Sequence, residues 1–325
     1  IQEQLKKIKS LELLTIPPND KYYSIADTAQ GVTKKTCLID EATLISKLAM
    51  LSNITKVSEI QTCKIRMNAF LKHPKLDTLS RKAKATEVQR EAIGLKIARI
   101  LNFEAVSEST LVEHDTQSGP QPCLFIPFGE MKELTDSMEN THSKHGRLKK
   151  ECFESVEDFG KYSAYFMLCG DPDFIGKNGQ NKGLTGDPSA QKLYIFDQVF
   201  MEDNNLGLDR SFNLVPTNVR SKLPNFISRH FMGRNKSVIN DSKYEEKVKG
   251  AITLLQKHDE IQEMFKGIMH ANEEYKKDTI VSTLQRDAKT CLKSFNARIR
   301  SIEKLFPYIT HNGKPTTVRK LAKSY

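Results

Sequence analysis

The sequence predicts an α+β fold in two consecutive parts, a mixed strand-and-helix part over residues 1–131 and a mainly helical part over 132–325. Three observations predict it. β-rich runs bounded by turn residues concentrate before residue 130. From Asp241 to Phe306 the apolar residues recur at helical spacing instead. A chain of 325 residues is also long enough to bury two cores.

Taken in order, Ile1 to Leu14 sets Leu5, Ile8, Leu11, Leu13 and Leu14 near one helical face, and the Pro17-Pro18 pair after Ile16 stops the run, so a packing or linker helix is expected. Lys21–Ile25 and Val32–Ile39 are β-rich and close enough to form a hairpin. Glu41 to Leu51 is an amphipathic helix with Leu44, Ile45, Leu48 and Leu51 facing inward. The mixed stretch from Ile54 to Leu71 reads as two short strands, the second running through Ala69-Phe70-Leu71-Lys72 to His73-Pro74. Thr86 to Phe103 is the strongest helix of the first half, with Thr86 as N-cap, Gln89 completing a capping box, and Val88, Ile93, Leu95, Ile97, Ile100 and Leu101 as its apolar face.

Thr110–Val112 and Pro122–Phe128 read as strands around a Ser-Gly-Pro turn, and the second is apolar enough to be buried. Lys132 to Lys150 is a polar, mobile connection. Ser155 to Leu168 is a helix capped by Ser155 and Asp158, and Leu193–Phe196 is a short β run. Asp203 to Asn225 is irregular. The helical stretch from Asp241 to Phe306 follows, and the basic tail from His311 to Tyr325 is expected to be disordered.

Composition narrows the class. Apolar residues at 38% and charged residues at 28% describe a globular protein with no membrane span, since no run of eighteen apolar residues occurs. There is no signal-peptide pattern, and the first residue, Ile1, leads us to expect a longer parent chain; the cytoplasm is the expected location on the cysteine usage that follows. The six cysteines are scattered with neither C-x-x-C pairs nor zinc spacing, so they read as reduced thiols. A net charge of +10 implies an acidic partner: nucleic acid, an anionic membrane surface or a polyphosphate. Nucleic acid is the weakest of these, because there is no Trp and no aromatic-interleaved basic array.

The chemistry concentrates in Cys169-Gly170-Asp171-Pro172-Asp173-Phe174-Ile175-Gly176-Lys177-Asn178-Gly179-Gln180-Asn181-Lys182-Gly183, with Tyr194-Ile195-Phe196-Asp197 downstream. Carboxylates, amides, lysines and glycines this dense suit metal or phosphate. A calcium loop would use Asp171, Asp173 and Gly176 at positions 1, 3 and 6, but Ile175 stands at position 5 and Lys182 where a bidentate Glu is required. Phosphoryl transfer fits better. It needs an Asp for the acceptor hydroxyl, an Asn and a second Asp for magnesium, and a cation for the phosphate, and Asp173, Asn178, Asp197 and Lys177 supply these in order. Asp171 is an alternative metal ligand.

The segment Gly170-x-x-Asp173-x-x-x-Lys177-Asn178 with Tyr194-Ile195-Phe196-Asp197 resembles the active-site loop of HipA-like kinases and, more loosely, of phosphoinositide 3- and 4-kinases. This is the atypical branch also found in effectors secreted by intracellular bacteria; the HRD triplet of ordinary protein kinases is absent, as are Gly-rich phosphate loops. The resemblance implies a two-lobed atypical kinase fold, a nucleotide lobe over 1–131, a mainly helical lobe over 132–325, and ATP and Mg2+ as cofactors. It implies Lys72 as the nucleotide lysine, with Lys34 or Lys35 as alternatives, and Glu91 as its partner, with Glu87 as competitor. Under it Gly129, Glu130 and Met131 form the adenine hinge.

The basic residues after Asp197, among them Arg210, Arg220 and Lys222 and above all Arg229, Arg234 and Lys236, are expected to bind a polyanion. The expected acceptor is an anionic lipid such as a phosphoinositide, with an inositol polyphosphate as regulator. A protein Ser/Thr acceptor, transfer of another group such as AMP, and a non-catalytic module binding a membrane or host protein remain open beside it. A kinase of this kind would work peripherally on membranes or, as a bacterial effector, in the host cytosol.

Overall fold

The computed structural model describes residues 8, 11–16, 20–28, 34–50, 56, 58–59, 67–74, 80–103, 108–116, 119–127, 129, 132–137, 155–170, 181–202, 241–270, 279–305, 309–311 and 314–324. The chain divides into two compact units, one of residues 1–92 and 107–130, the other of 93–106 and 131–325.

The first unit is an antiparallel sheet of six strands, β1 (Glu12–Ile16), β2 (Asp20–Thr28), β3 (Lys35–Asp40), β4 (Ala69–Lys72), β5 (Thr110–Thr116) and β6 (Gly119–Pro127), in the order β1-β2-β3-β4-β6-β5. The expected β2–β3 hairpin forms, with Tyr23 opposite Ile39 and a register shift between Ser24 and Ala26. Strand β3 is buried on both faces, and its period of two divides the core. Cys37 and Ile39 join Tyr23, Ile25, Leu44 and Leu48 under α1 (Glu41–Met50), while Leu38 joins Ala69, Leu71, Cys123 and Phe125 on the other face.

The N-terminal run corrects the sequence reading. Glu12–Ile16 is not the end of a helix but an edge strand paired with β2, Leu13 opposite Tyr23. Its apolar spacing suits a helix, but at Glu12–Ile16 the backbone pairs with β2 in an antiparallel ladder. The expected cap of the next helix also moves: α2 runs Arg81–Ile100, Ser80 Oγ accepts from the Ala83 N–H at 3.2 Å, and Thr86 lies inside the helix, its hydroxyl donating to the Lys82 carbonyl.

In the second unit, α3 (Phe159–Cys169) begins four residues later than expected from Ser155. Asp158 stands before it in the left-handed region (φ 53°) and makes no side-chain cap, and Ser155 instead hydrogen-bonds the Gln191 side chain at 3.0 Å. Short strand β7 (Lys132–Glu133) pairs with β8 (Lys182–Asp187), which forms a hairpin with β9 (Ala190–Ile195). Helices α4 (Asp241–Gln256), α5 (His258–His270) and α6 (Thr279–Leu305) supply the helical stretch read from the sequence. The aromatic core among them places Phe265 5.9 Å from Phe200 and 5.8 Å from Phe295, centroid to centroid. The described part of the basic tail has regular structure, contrary to expectation: β10 (Ile309–His311) pairs with β11 (Lys314–Thr316), and α7 (Val318–Ala322) is capped by Thr317 and buries Val318 and Leu321.

Asp40 ties β3 to α1. Its Oδ1 accepts from the Thr43 N–H at 2.8 Å, capping the helix, and its Oδ2 accepts from the Asn68 amide, whose Oδ1 takes the Asp40 N–H at 3.1 Å. Burial alone would raise this carboxyl, but the bonds from Thr43, Asn68 and Ala42 outweigh it and hold the pKa below the ordinary value. A depressed carboxyl contributes stability above its unfolded pKa and loses it as pH falls through the folded one. Asp40→Ala should therefore cost about 1 kcal/mol at neutral pH, as for a lost N-cap. In urea denaturation across pH, the gap to wild type should hold down to about pH 4 and then close; a gap independent of pH would contradict the assignment.

Candidate functional site

Strand β4 is buried at all four residues, because it lies between β3 and β6 in the middle of the sheet. Alternation sends Ala69 and Leu71 to one face and Phe70 and Lys72 to the other. There Lys72 Nζ meets Glu91 Oε2 of α2 at 2.6 Å, with the two side chains only 4% and 5% exposed. The helix supplies the carboxylate because Arg81–Ile100 is rich in Ala, Lys and Arg, strong helix formers, and because it is buried without interruption from Glu91 to Leu95. Lys35 stands directly across from Lys72 in the β3–β4 ladder but lies over the Phe70 ring at 5.3 Å, and Lys34 is exposed.

The end of β4 is fixed by the next residue. His73 donates its backbone N–H to the Lys34 carbonyl at 3.0 Å, and its ring lies 2.9 Å from Thr36 Oγ1 and 3.5 Å from Cys123 Sγ. Burial pushes the Cys123 thiol up to about 12, so it packs as an un-ionised group rather than serving as a nucleophile.

In the second unit, Asp197 follows β9 on a segment, 196–202, that belongs to no strand. Its seat is built from three sides. The Lys182 ammonium donates to the Asp197 carbonyl and, at 3.0 Å, to the Asn181 carbonyl; it lies 5.9 Å over the Phe166 ring, and the residue is 1% exposed. On α2, Gly94 admits the backbone of Gln198 so closely that a Cβ would stand 2.3 Å from the Gln198 carbonyl oxygen, and Tyr165 donates to the Gly94 carbonyl at 2.7 Å. On α6, Arg298 donates to the Leu168, Cys169 and Met201 carbonyls at 2.8, 2.9 and 2.6 Å, while Ser294 donates to the Glu202 carbonyl at 2.6 Å.

The structure thus brings Lys72 and Glu91 together in the first unit and places Asp197, half-buried, in the second. Asp171, Asp173, Lys177 and Asn178, the hinge residues Glu130 and Met131, and the basic Arg210, Arg220, Lys222, Arg229, Arg234 and Lys236 lie outside the described residues. Among the described residues no group of three His, Cys, Asp or Glu side chains is placed to hold a metal ion. Sequence reasoning missed Gly94, Lys182 and Arg298. A glycine inside a strong helix pattern is a signal of close backbone approach, and Asp287, Ser294 and Arg298 interrupt the apolar face of α6 at helical spacing. Lys182 was legible only as a misfit in the calcium pattern.

No family model and no curated protein match the chain. Among solved structures it is similar to a chain of the Shewanella oneidensis MR-1 toxin–antitoxin system HipA, HipB and operator DNA complex, with TM-score 0.36 and 12% identity over 73% of this chain. The likeness spans 58% of that chain's length.

A buried ion pair is costly to break and cheap to replace, because removing one partner leaves the other charge desolvated. Lys72→Met and Glu91→Leu should each destabilise by about 3–5 kcal/mol, while the two together should recover most of that loss. Urea denaturation of the four proteins measures the coupling; additive losses would show that the two charges do not act on each other.

Proposed function

We propose that the chain is a two-lobed atypical kinase, an ATP- and magnesium-dependent enzyme that transfers the γ-phosphoryl group to an anionic acceptor. The observation that carries this reading is the buried Lys72–Glu91 pair. A buried pair is weak evidence for stability, since apolar residues of similar volume serve as well or better. A lysine on a central strand, oriented by a helix carboxylate, is instead an arrangement suited to presenting an ammonium to phosphate oxygens.

In this reading Lys72 neutralises the nucleotide phosphates and Glu91 holds it in place. Asp197 and Asn178 bind magnesium, Asp173 orients the acceptor hydroxyl, and Lys177 stabilises the group in transit. Glu130 and Met131 offer backbone groups to adenine. Two observations support this set: Lys72 is fixed by its carboxylate, and Asp197 stands on a segment whose Asp197 and Met201 carbonyls are held. Bound magnesium would supply charge neutralisation for the transferring phosphate.

The net charge of +10 supports an anionic acceptor, for which a phosphoinositide is our choice, with an inositol polyphosphate at Arg229, Arg234 and Lys236 as regulator. No helix among the described residues is long and apolar enough to cross a membrane; in this reading the acceptor is reached from the lipid surface, through basic residues.

The test has two stages. ATP with magnesium should raise the melting temperature and ATP with EDTA should not. Asp197→Ala and Lys72→Met should then each lower turnover about a hundredfold or more on a panel of phosphoinositide vesicles and protein substrates labelled from γ-phosphate ATP. Full turnover in Asp197→Ala would overturn the metal assignment, and incorporation into protein alone would replace the lipid acceptor.

A further inference from the structure

Both ends of the segment that carries Asp197 are gripped by buried cations. Lys182 and Arg298 are 1% and 3% exposed, and charges so deep must be satisfied by hydrogen bonds. The bonds shown go to main-chain carbonyls: Lys182 to Asp197 and Asn181, Arg298 to Met201, Leu168 and Cys169. Leu168 and Cys169 are in the last turn of α3, where unsatisfied carbonyls and the negative end of the helix dipole favour a cation. The Cys169 carbonyl also accepts from the Met201 N–H at 2.9 Å, so one guanidinium closes the helix end and the segment together. Gly170 is matched to it: its backbone is left-handed (φ 68°), and a Cβ there would stand 2.7 Å from the guanidinium.

We propose that Arg298 and Lys182 are positioning residues for Asp197, two buried cations that hold the carbonyls at either end of 197–201 and so set where that carboxylate stands. The proposal rests on the reading of Asp197 as a magnesium ligand. Segment 196–202 belongs to no strand, and these contacts, with the Ser294 bond to the Glu202 carbonyl and the close passage of Gln198 past Gly94, act on its course. Arg298 also fixes Cys169 and Gly170, the residues from which the chain enters 171–180, and Lys182 stands just after that stretch. A rigid three-carbonyl grip needs the planar fork of Arg; a Lys keeps the charge but cannot span the same acceptors.

The experiment uses the full chain with Arg298→Lys and Lys182→Met, reading turnover against magnesium at saturating ATP, with melting temperature beside it. The expected result is a cooperatively folding Arg298→Lys whose kcat falls about tenfold and whose half-saturating magnesium rises about threefold or more, while KM for ATP stays within about twofold. Lys182→Arg, which keeps the charge but brings a larger planar group, should retain more activity than Lys182→Met, and the Lys182 pair reads the same quantities should Arg298→Lys not fold. Activity that falls only with the folded fraction, at unchanged magnesium dependence, would overturn the proposal, as would wild-type kinetics. If the wild type itself turns over no ATP, the kinase reading fails and hydrogen exchange decides the grip alone. Arg298→Lys should then speed exchange of the 197–202 amides about tenfold and leave α5 unchanged; a uniform change, or none, overturns it.

Discussion

The structure depends most on one contact, the ion pair between Lys72 and Glu91 in a place almost without water. Two charges 2.6 Å apart attract strongly there, but each has lost its hydration, and the net effect on stability is small or adverse. The pair therefore works as a constraint. A long flexible lysine on a central strand is held to a single direction, and α2 is registered against the sheet at one residue. Everything around the pair serves that register: β4 is buried at every position, His73 pins its end through Thr36 and Cys123, and α2 is buried continuously from Glu91 to Leu95.

The second unit shows the same economy with main-chain partners. Lys182 and Arg298 are buried cations whose hydrogen bonds shown are to carbonyls of 168–169, 181, 197 and 201, and two glycines make room for the close contacts: Gly94 for the Gln198 backbone and Gly170 for the guanidinium. Substitution at either glycine forces a shift: Gly94 would meet backbone, which cannot turn aside, and Gly170 would leave a left-handed conformation that L side chains avoid. Cations that bond the main-chain carbonyls are a way to fix the segment carrying a half-buried carboxylate through its backbone.

Much of the architecture was legible in the sequence, and the misses have causes. The β2–β3 hairpin, α1, β6 and the late helices announce themselves through strong periodicity. The edge strand β1 does not, since it exposes Leu13 (48%) and a half-buried edge is weakly patterned. The start of α2 was placed five residues late because its first turns are polar and carry no apolar stripe, and only the Ser80 cap marks them. The tail was read as disordered from its charge, yet Val318 and Leu321 anchor it. Of the candidate site, Lys72 and Glu91 were found through a family resemblance, not through physics, because no local pattern distinguishes a strand-end lysine that turns inward from one that stays in solvent. Arg298 and Lys182 were missed for a different reason: polar residues on the apolar face of α6 mark the position of Arg298, but the partners of both cations are carbonyls, which every residue has, so no side-chain pattern says what they bind.

The measurement that tests the central claim most directly is covalent labelling of the full chain with an acyl-phosphate derivative of ATP, which hands its acyl group to whichever amine lies against the nucleotide phosphates. Lys72 is 4% exposed and Lys34 is exposed, so random acylation would favour Lys34 and the other exposed lysines over Lys72. The account predicts that mass spectrometry finds the label chiefly on Lys72, that excess ATP with magnesium prevents it, and that Glu91→Gln weakens it. Labelling that follows exposure and ignores competing ATP would contradict the account.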